Sequence, residues 1–236
     1  MKHIAVFTSG GDSPGMNACI RAVVRTAIYE GLTVSGIYRG YQGMIENKFK
    51  ELRGPSVSNI IQLGGTILQS ARSEEFRTPE GRRKAYNNLI KHGIDGVVAI
   101  GGDGTFTGAN VFMNEYPDIS IVGCPGTIDN DLYGTDYTIG YDTAINTAMA
   151  AIDNIKDTAN AHGRLFFIEV MGRDAGFIAL LSGIATGAED ILIPEFHTEM
   201  DDLVKHLKEG FKKKKNGSIV IVAEGDDAGG AFDVAA

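Results

Sequence analysis

The chain has 236 residues, which suits one large domain or two modest ones. Hydrophobic residues make up 43% of it and charged residues 22%, which argues against a disordered chain. Its 22 basic and 30 acidic residues give a formal net charge of −8. A nucleic-acid-binding protein would need a broad basic excess, so no nucleic-acid partner is predicted.

Two cysteines, Cys19 and Cys124, lie far apart in the sequence, without a CxxC motif or paired histidines. We therefore predict two buried thiols and neither a disulfide framework nor a zinc site. The first apolar run, residues 4–7, is too short for a signal peptide, and no apolar run reaches the ~18 residues of a membrane span. The sequence predicts a cytoplasmic protein with no membrane partner.

Short apolar runs alternate with stretches of helical periodicity. The predicted strands are residues 4–7, 33–38, 96–100, 119–123, 165–170, 191–193 and 218–223. The predicted helices are residues 16–29, 81–92, 106–115, 141–160, 175–186 and 200–215. This alternation predicts an α/β fold with doubly wound, mostly parallel sheets and helices on both faces. A change in charge and glycine density near residue 140 predicts two similar α/β domains, 1–139 and 140–236, the second incomplete.

Two glycine-rich segments follow predicted strands. Residues 8–17 read TSGGDSPGMN, and their glycines let backbone amides converge on an anion at a helix N-terminus. The alternative is a tight strand-to-helix turn. Residues 101–105 read GGDGT, which suits close phosphate approach with Mg²⁺ beside Asp103. Asp103 could instead only cap the following helix.

Two further segments place charge after strands. Residues 125–131 read PGTIDND, and two carboxylates two residues apart can take different roles, one of them as a base. Residues 169–173 read EVMGR and put an arginine at a predicted helix start, which suits phosphate. An acid-rich turn and a surface ion pair are the structural alternatives. In a parallel sheet, ligands bind beyond the carboxyl ends of the strands, where all four segments fall.

In this order and spacing, the four segments resemble those of the 6-phosphofructokinases of the bacterial ATP-dependent type. Residues 64–66 and 70–72 match that family as well, and the resemblance covers essentially the whole chain. PGTIDND is a specific signature, whereas NAD kinases and diacylglycerol kinases share only a GGDGT-like element. The resemblance implies a Mg²⁺-assisted transfer of the γ-phosphoryl group of ATP to the 1-hydroxyl of fructose 6-phosphate, a step of glycolysis.

The same resemblance implies a role for individual residues. Asp129 matches the general base, and Asp103 is associated with Mg²⁺. The implied catalytic set is Asp129, Arg173, Arg72, Gly11 and Thr127. The implied ATP contacts are Gly11, Arg72, Ser73, Gly102, Asp103, Gly104 and Thr105. The implied contacts to fructose 6-phosphate are Thr127, Asp129, Asp131, Arg164, Met171, Gly172, Arg173 and Glu224, of which Arg164 would reach the sugar phosphate of a neighbouring subunit.

Two glycines favour ATP over pyrophosphate as donor. In the pyrophosphate-dependent relatives, the residue matching Gly104 is typically aspartate and that matching Gly126 is typically lysine. A carboxylate at position 104 would intrude where the α-phosphate of ATP must lie. Both positions are glycine in this chain, so ATP is the expected donor.

An effector site for ADP or phosphoenolpyruvate is also implied. Its residues would be Arg21, Arg25, Lys156, Glu189, Lys213 and Lys215. Arg21 and Arg25, one helical turn apart, could instead form a solvated basic face. Lysine at position 156 weakens bidentate phosphate binding relative to arginine. The family further implies a homotetramer.

The family continues well beyond the position that matches Ala236, so the chain is expected to be a partial copy. Two functions therefore remain open. One is the kinase, and the other is a fragment that binds nucleotide or effector without turnover.

Overall fold

The computed structural model describes residues 1–212 and 217–236. The chain forms two compact units. Unit 1 comprises Met1–Thr127 and Leu132–Gly140, and unit 2 comprises Ile128–Asp131 and Tyr141–Ala236. The domain boundary between residues 139 and 140 stays a prediction, and the units differ from it by assigning Ile128–Asp131 to unit 2 and Gly140 to unit 1.

Unit 1 is built on a six-stranded sheet of order β3-β2-β1-β4-β5-β6. All neighbouring strands are parallel except the antiparallel pair β2 and β3. The strands are β1 (His3–Thr8), β2 (Thr33–Ile37), β3 (Phe49–Glu51), β4 (Gly96–Gly101), β5 (Ser120–Thr127) and β6 (Ile139–Gly140). Because β1 and β4 lie in the sheet interior, their residues are almost all buried, as expected for a parallel sheet covered on both faces.

Helices cover both faces of this sheet. The helices are α1 (Met16–Tyr29), α2 (Gly40–Ile45), α3 (Pro79–Lys91) and α4 (Asp103–Glu115). Ile4 and Val6 of β1 pack in one apolar cluster with α1, whereas Ala5 and Phe7 pack in another with α2, α3 and α4. This alternation follows from the two-residue period of a strand, which points successive side chains to opposite faces.

Unit 2 contains a parallel three-stranded sheet of order β7-β9-β8. The strands are β7 (Leu165–Val170), β8 (Asp190–Leu192) and β9 (Ser218–Ala223). The helices are α5 (Tyr141–His162), α6 (Phe177–Thr186), α7 (Met200–Lys212) and α8 (Ala231–Ala235). Ile219 and Ile221 pack with α5 and α6, and Val220 and Val222 pack with α7 and α8. The predicted α/β class, with mostly parallel sheets and helices on both faces, is confirmed.

Two of the sequence predictions about local structure were wrong in informative ways. The predicted strand 119–123 ends too early, because β5 runs on through Pro125 and Gly126 to Thr127. The predicted helix 106–115 starts too late, because α4 begins at Asp103, so most of the GGDGT segment is its first turn. The predicted helix 200–215 is observed as Met200–Lys212, and its last three positions lie outside the described residues.

The cysteines are free thiols, but both are half-buried rather than buried. Among the described residues, no helix has both the length and the apolar character needed to cross a membrane.

Candidate active site

The loop after β1 exposes backbone at its tip. Gly11 is exposed, and a methyl group added at its Cβ position would meet no atom within 4 Å. The loop is anchored behind this tip, since the Ser9 backbone N–H donates to the Ile100 carbonyl at 3.0 Å and the Ser13 hydroxyl donates to the Ile139 carbonyl at 2.9 Å. An anchored loop with an open glycine presents amides to a ligand at little entropic cost.

The GGDGT segment joins the end of β4 to the first turn of α4. Asp103 and Gly104 are exposed, and the Cβ position of Gly104 is also open to 4 Å. Thr105, in contrast, is buried, with its hydroxyl donating to the Ser9 carbonyl at 3.3 Å and its carbonyl accepting from the Tyr41 hydroxyl at 2.6 Å. Thr105 therefore ties the two glycine-rich loops together, while Asp103 and Gly104 face solvent.

The segment before α3 contributes Arg72 and Ser73. Arg72 is exposed. The Ser73 hydroxyl donates to Gln42 Oε1 at 2.7 Å and accepts the Phe76 backbone N–H at 3.2 Å. The hydroxyl of Ser73 thus orders this segment, which leaves the Arg72 guanidinium as its main group for an anion.

Asp103 is a suitable residue for Mg²⁺. It is an exposed carboxylate in the first turn of a helix, next to the open position at Gly104. No group of three or more His, Cys, Asp or Glu residues gathers within the described part of the chain. Because Mg²⁺ is commonly bound by one or two carboxylates together with substrate phosphates, these residues fit an ion that arrives with a nucleotide.

The PGTIDND segment passes from unit 1 to unit 2. In unit 1 the Thr127 carbonyl accepts the Thr138 hydroxyl at 2.7 Å. In unit 2 Asp129 is buried, and its Oδ2 lies 3.3 Å from Arg173 Nε. Asp131 is exposed. The structure thus pairs one of the two predicted carboxylates with an arginine and leaves the other facing solvent.

The loop after β7 is shaped by two glycines. Gly172 has φ 152°, and a Cβ there would come within 2.4 Å of the Ala175 carbonyl oxygen. Gly225, after β9, lies so close to this loop that a Cβ would come within 2.0 Å of the Arg173 carbonyl oxygen. Only glycine fits either position without movement of the backbone.

Glu224 holds the same loop from the end of β9. Its Oε1 accepts the backbone N–H of Gly172 at 3.1 Å and that of Arg173 at 2.6 Å. Met171 is 62% exposed, and the Arg173 side chain is 63% exposed. The loop is therefore fixed through its backbone while its side chains remain available to a ligand. No pattern in the sequence indicates this backbone role of Glu224.

Arg164 lies apart from this group. It is exposed and immediately precedes β7, whereas Met171, Gly172 and Arg173 follow the other end of that six-residue strand. A six-residue strand is roughly 20 Å long. The structure does not bring Arg164 to the loop of Arg173 within one chain.

Two of the implied effector residues, Arg21 and Lys156, already make contacts within their own units. In unit 1 Arg21 Nη1 donates to the Val57 carbonyl at 2.7 Å, and Arg25 is exposed. In unit 2 Lys156 Nζ donates to the Thr186 carbonyl at the end of α6, and Glu189 is half-buried. Lys213 and Lys215 lie outside the described residues.

Comparison with known proteins identifies the family. The model of the phosphofructokinase family matches residues 3–235. The ATP-dependent 6-phosphofructokinase 2 of Bacteroides thetaiotaomicron is 61% identical over 235 residues, which is 100% of this chain and 72% of that protein. The ATP-dependent 6-phosphofructokinase of Cytophaga hutchinsonii is 63% identical over 100% of this chain and 71% of its own length. The chain belongs to the phosphofructokinase family, a family of kinases.

Solved structures share the fold. Phosphofructokinase from Saccharomyces cerevisiae superposes with a TM-score of 0.92 at 43% identity, over 96% of this chain and 34% of that one. The pyrophosphate-dependent phosphofructokinase from Marinobacter aquaeolei superposes with a TM-score of 0.84 at 21% identity, over 96% of this chain and 61% of that one, which shows the fold alone. The chain therefore spans about a third of the yeast chain and about seven tenths of the bacterial relatives named above.

Proposed function

We propose that the protein transfers the γ-phosphoryl group of ATP to the 1-hydroxyl of fructose 6-phosphate, giving fructose 1,6-bisphosphate. The observation that carries this proposal is the buried Asp129 carboxylate beside the Arg173 guanidinium, in a chain 61% identical to a protein named as this kinase. Since the chain spans only part of its relatives, the activity is proposed for the whole protein.

Asp129 is the general base in this proposal. A buried carboxylate can take the hydroxyl proton as the oxygen attacks, provided that it is within hydrogen-bond reach of that oxygen. Arg173 neutralises the carboxylate in the absence of substrate, and its long, exposed side chain can turn to the phosphoryl oxygens when substrate binds. Asp131 supports the base, and Thr127, Met171 and Gly172 contact the sugar. Glu224 positions the loop of Arg173 and binds the sugar hydroxyls.

Phosphoryl transfer needs positioning and stabilisation of charge on the equatorial oxygens more than it needs covalent chemistry. Gly11, Gly102 and Gly104 supply close backbone approach to the donor phosphates. Arg72 and Arg173 supply positive charge. Asp103 would hold Mg²⁺, which when bound neutralises charge on the phosphate oxygens. Ser73 and Thr105 belong to the donor site as well, and their hydroxyls act mainly by fixing the loops.

ATP is the proposed donor, and two glycines support this. The open space at Gly104 leaves room for a phosphate group, which an aspartate would fill with charge. Gly126 is tightly packed instead, since a Cβ there would lie 2.9 Å from Ile100 Cγ2. A lysine at position 126 would therefore require the strand β5 and its neighbours to move.

The regulatory and assembly proposals follow from the family alone. Arg21 and Arg25 bind the phosphates of ADP or phosphoenolpyruvate, and Lys156 and Glu189 lie near other effector positions. Arg164 reaches the sugar phosphate of a neighbouring subunit in a cytoplasmic homotetramer. Arg21 and Lys156 would have to exchange the carbonyl contacts described above for the effector. We therefore expect weaker effector binding than a pair of unengaged arginines would give.

The test is transfer of labelled γ-phosphate to fructose 6-phosphate in the presence of Mg²⁺, with pyrophosphate as the competing donor. ATP-dependent formation of fructose 1,6-bisphosphate supports the proposal. Binding of ATP by titration calorimetry without any product would favour the alternative, a protein that binds nucleotide without turnover. Turnover with pyrophosphate alone would refute the donor assignment.

A further inference from the structure

The first glycine-rich segment ends on an asparagine whose buried side chain binds a distant part of the chain. Asn17 lies in the first turn of α1 and is only 1% exposed. Its Nδ2 donates to the carbonyl oxygens of Leu63 at 3.0 Å and Gly64 at 3.2 Å. Its Oδ1 accepts the backbone N–H of Ile67 at 2.8 Å. All three hydrogen bonds therefore go to residues 63–67.

Thr8, at the end of β1, holds the same part of the chain from the other side of the glycine-rich loop. It is fully buried, and its hydroxyl donates to the Gln69 carbonyl at 2.9 Å. The Thr66 hydroxyl lies 2.8 Å away and donates to Thr8 Oγ1 in turn. Gln69 has φ 59°, a left-handed conformation that a residue with a side chain rarely adopts unless its surroundings hold it there. The polar residues on either side of the loop thus fix residues 63–69.

Arg72 follows this segment after a short stretch of chain. Residues 70–72 lie between the held Gln69 and Ser73, whose hydroxyl donates to Gln42 Oε1 at 2.7 Å. A stretch this short that is anchored at both ends has few backbone conformations open to it. The place of the Arg72 guanidinium therefore depends on how the segment before it is held.

We propose that Asn17, together with Thr8, is a positioning residue for phosphoryl transfer. Their five hydrogen bonds join residues 63–69 to the two ends of the phosphate-binding loop and so fix Arg72 relative to Gly11. Under the proposed kinase reaction, on which this inference rests, Arg72 and Gly11 both contact the donor phosphates. Charge stabilisation in such a reaction needs groups that are in place before the phosphoryl group moves, and a misplacement of about 1 Å can lower the rate by about 10²-fold.

Asn88 provides a matched control whose role is folding alone. It is half-buried on α3, and its Nδ2 donates to the carbonyls of Met44 at 3.0 Å and Ile45 at 2.9 Å. Neither carbonyl belongs to a residue with a proposed ligand contact. Replacing Asn17 or Asn88 by alanine leaves two carbonyls without their donor, so both changes should lower Tm. Only the change at position 17 should also slow the reaction.

The experiment measures kcat per folded molecule for transfer from ATP to fructose 6-phosphate, well below Tm, together with hydrogen exchange of the peptide that covers residues 63–73. We expect Asn17→Ala to lower kcat by about 10–100-fold, with the KM for fructose 6-phosphate nearly unchanged and faster exchange of that peptide. Asn88→Ala should keep the wild-type kcat and the wild-type exchange of residues 63–73. Should Asn17→Ala fail to fold, Thr8→Val keeps the shape of the side chain, removes the hydroxyl that holds Gln69, and should lower kcat by about tenfold.

The wild type distinguishes a failure of the positioning role from a failure of the reaction. An active wild type whose folded Asn17→Ala or Thr8→Val variant keeps kcat, or whose Asn17→Ala variant keeps the exchange of residues 63–73, would overturn the positioning role and leave the reaction standing. An equal fall in kcat in Asn88→Ala would overturn it as well, because lost folding stability would then explain both variants. A wild type that transfers no phosphoryl group would refute the proposed reaction and the positioning role together.

Discussion

Glu224 Oε1 accepts the backbone N–H of Arg173 at 2.6 Å, and the side chain of that same arginine lies 3.3 Å from Asp129. A carboxylate at the end of β9 thus sets the position of the arginine that faces the proposed base. The arrangement is a chain of three charged residues in which the middle one is held through its backbone.

We expect Glu224→Ala to loosen this loop. Loss of a hydrogen bond to a charged acceptor at an exposed site should reduce the stabilisation of the transition state by about 1.5 kcal/mol. This corresponds to roughly a tenfold fall in kcat/KM for fructose 6-phosphate. Glu224→Gln keeps an oxygen that can accept both N–H groups and should lose less. The exposed Glu209→Ala serves as control. Equal losses in the Ala and Gln variants would argue against the backbone role.

Gly104→Asp tests the choice of donor. Gly104 is in the first turn of α4, outside the left-handed region and with open space at its Cβ, so folding should be unaffected. An acidic residue in the first turn of a helix also interacts favourably with the helix dipole. Repulsion from the nucleotide phosphates should raise the KM for ATP by about tenfold, or ~1.4 kcal/mol. Gly210→Asp, at another open position on a helix, should leave that KM unchanged. An unchanged KM in Gly104→Asp would contradict the donor argument.

A pH-dependent contact is predicted at the end of unit 2. His197 pairs with Asp227, and the Thr198 backbone N–H also donates to Asp227 Oδ1 at 3.1 Å. The hydrogen bond with Asp227 raises the pKa of His197, and the same hydrogen bond lowers the pKa of Asp227. The histidine therefore contributes its full stability below its ordinary pKa of 6.5, and this stability is lost as pH rises through its raised pKa. The aspartate contributes its full stability above its ordinary pKa of 3.8, and this stability is lost as pH falls through its lowered pKa.

The contact between His197 and Asp227 should accordingly stabilise the protein most between pH 3.8 and pH 6.5, the ordinary pKa values of the two groups. Its contribution to stability should decrease in mildly alkaline solution. Both side chains are exposed, so the effect should be small. The difference in Tm between wild type and His197→Gln should shrink as pH rises from about 6 to 8.5. His162→Gln, at an exposed position on α5, should show no such trend. A difference that grows with pH would contradict the sign of this contact.

The sequence predicted the parts of the fold that repeat along the chain. The helix at residues 16–29 has the bounds predicted from its apolar spacing, and the strand at 165–170 has the bounds predicted from its apolar run. The elements missed are short or contain glycine. Helix α2 follows Arg39 with φ 65° and includes two glycines, and β6 has only two residues. Their stability comes from packing and pairing with distant segments, which periodicity does not reveal.

Residues of the candidate site could be predicted only where they lie next to one another in a sequence motif. The GGDGT motif predicts ligand contacts for Asp103 and Gly104, both of which are exposed, and these contacts stay predictions. The hydrogen bonds from Gly172 and Arg173 to Glu224 join residues far apart in sequence. No sequence pattern predicts these bonds, because they depend on where two elements pack together in the fold.

The measurement that tests the central claim most directly is the kcat of Asp129→Asn in the phosphorylation of fructose 6-phosphate by ATP. The amide keeps the shape of the side chain but cannot take the hydroxyl proton. We predict a fall in kcat of about 10²–10⁴, with the KM for ATP nearly unchanged. The matched control Asp153→Asn, at an exposed position on α5, should keep the wild-type rate. A kcat for Asp129→Asn within a few-fold of wild type, in a folded protein, would show that Asp129 is not the base.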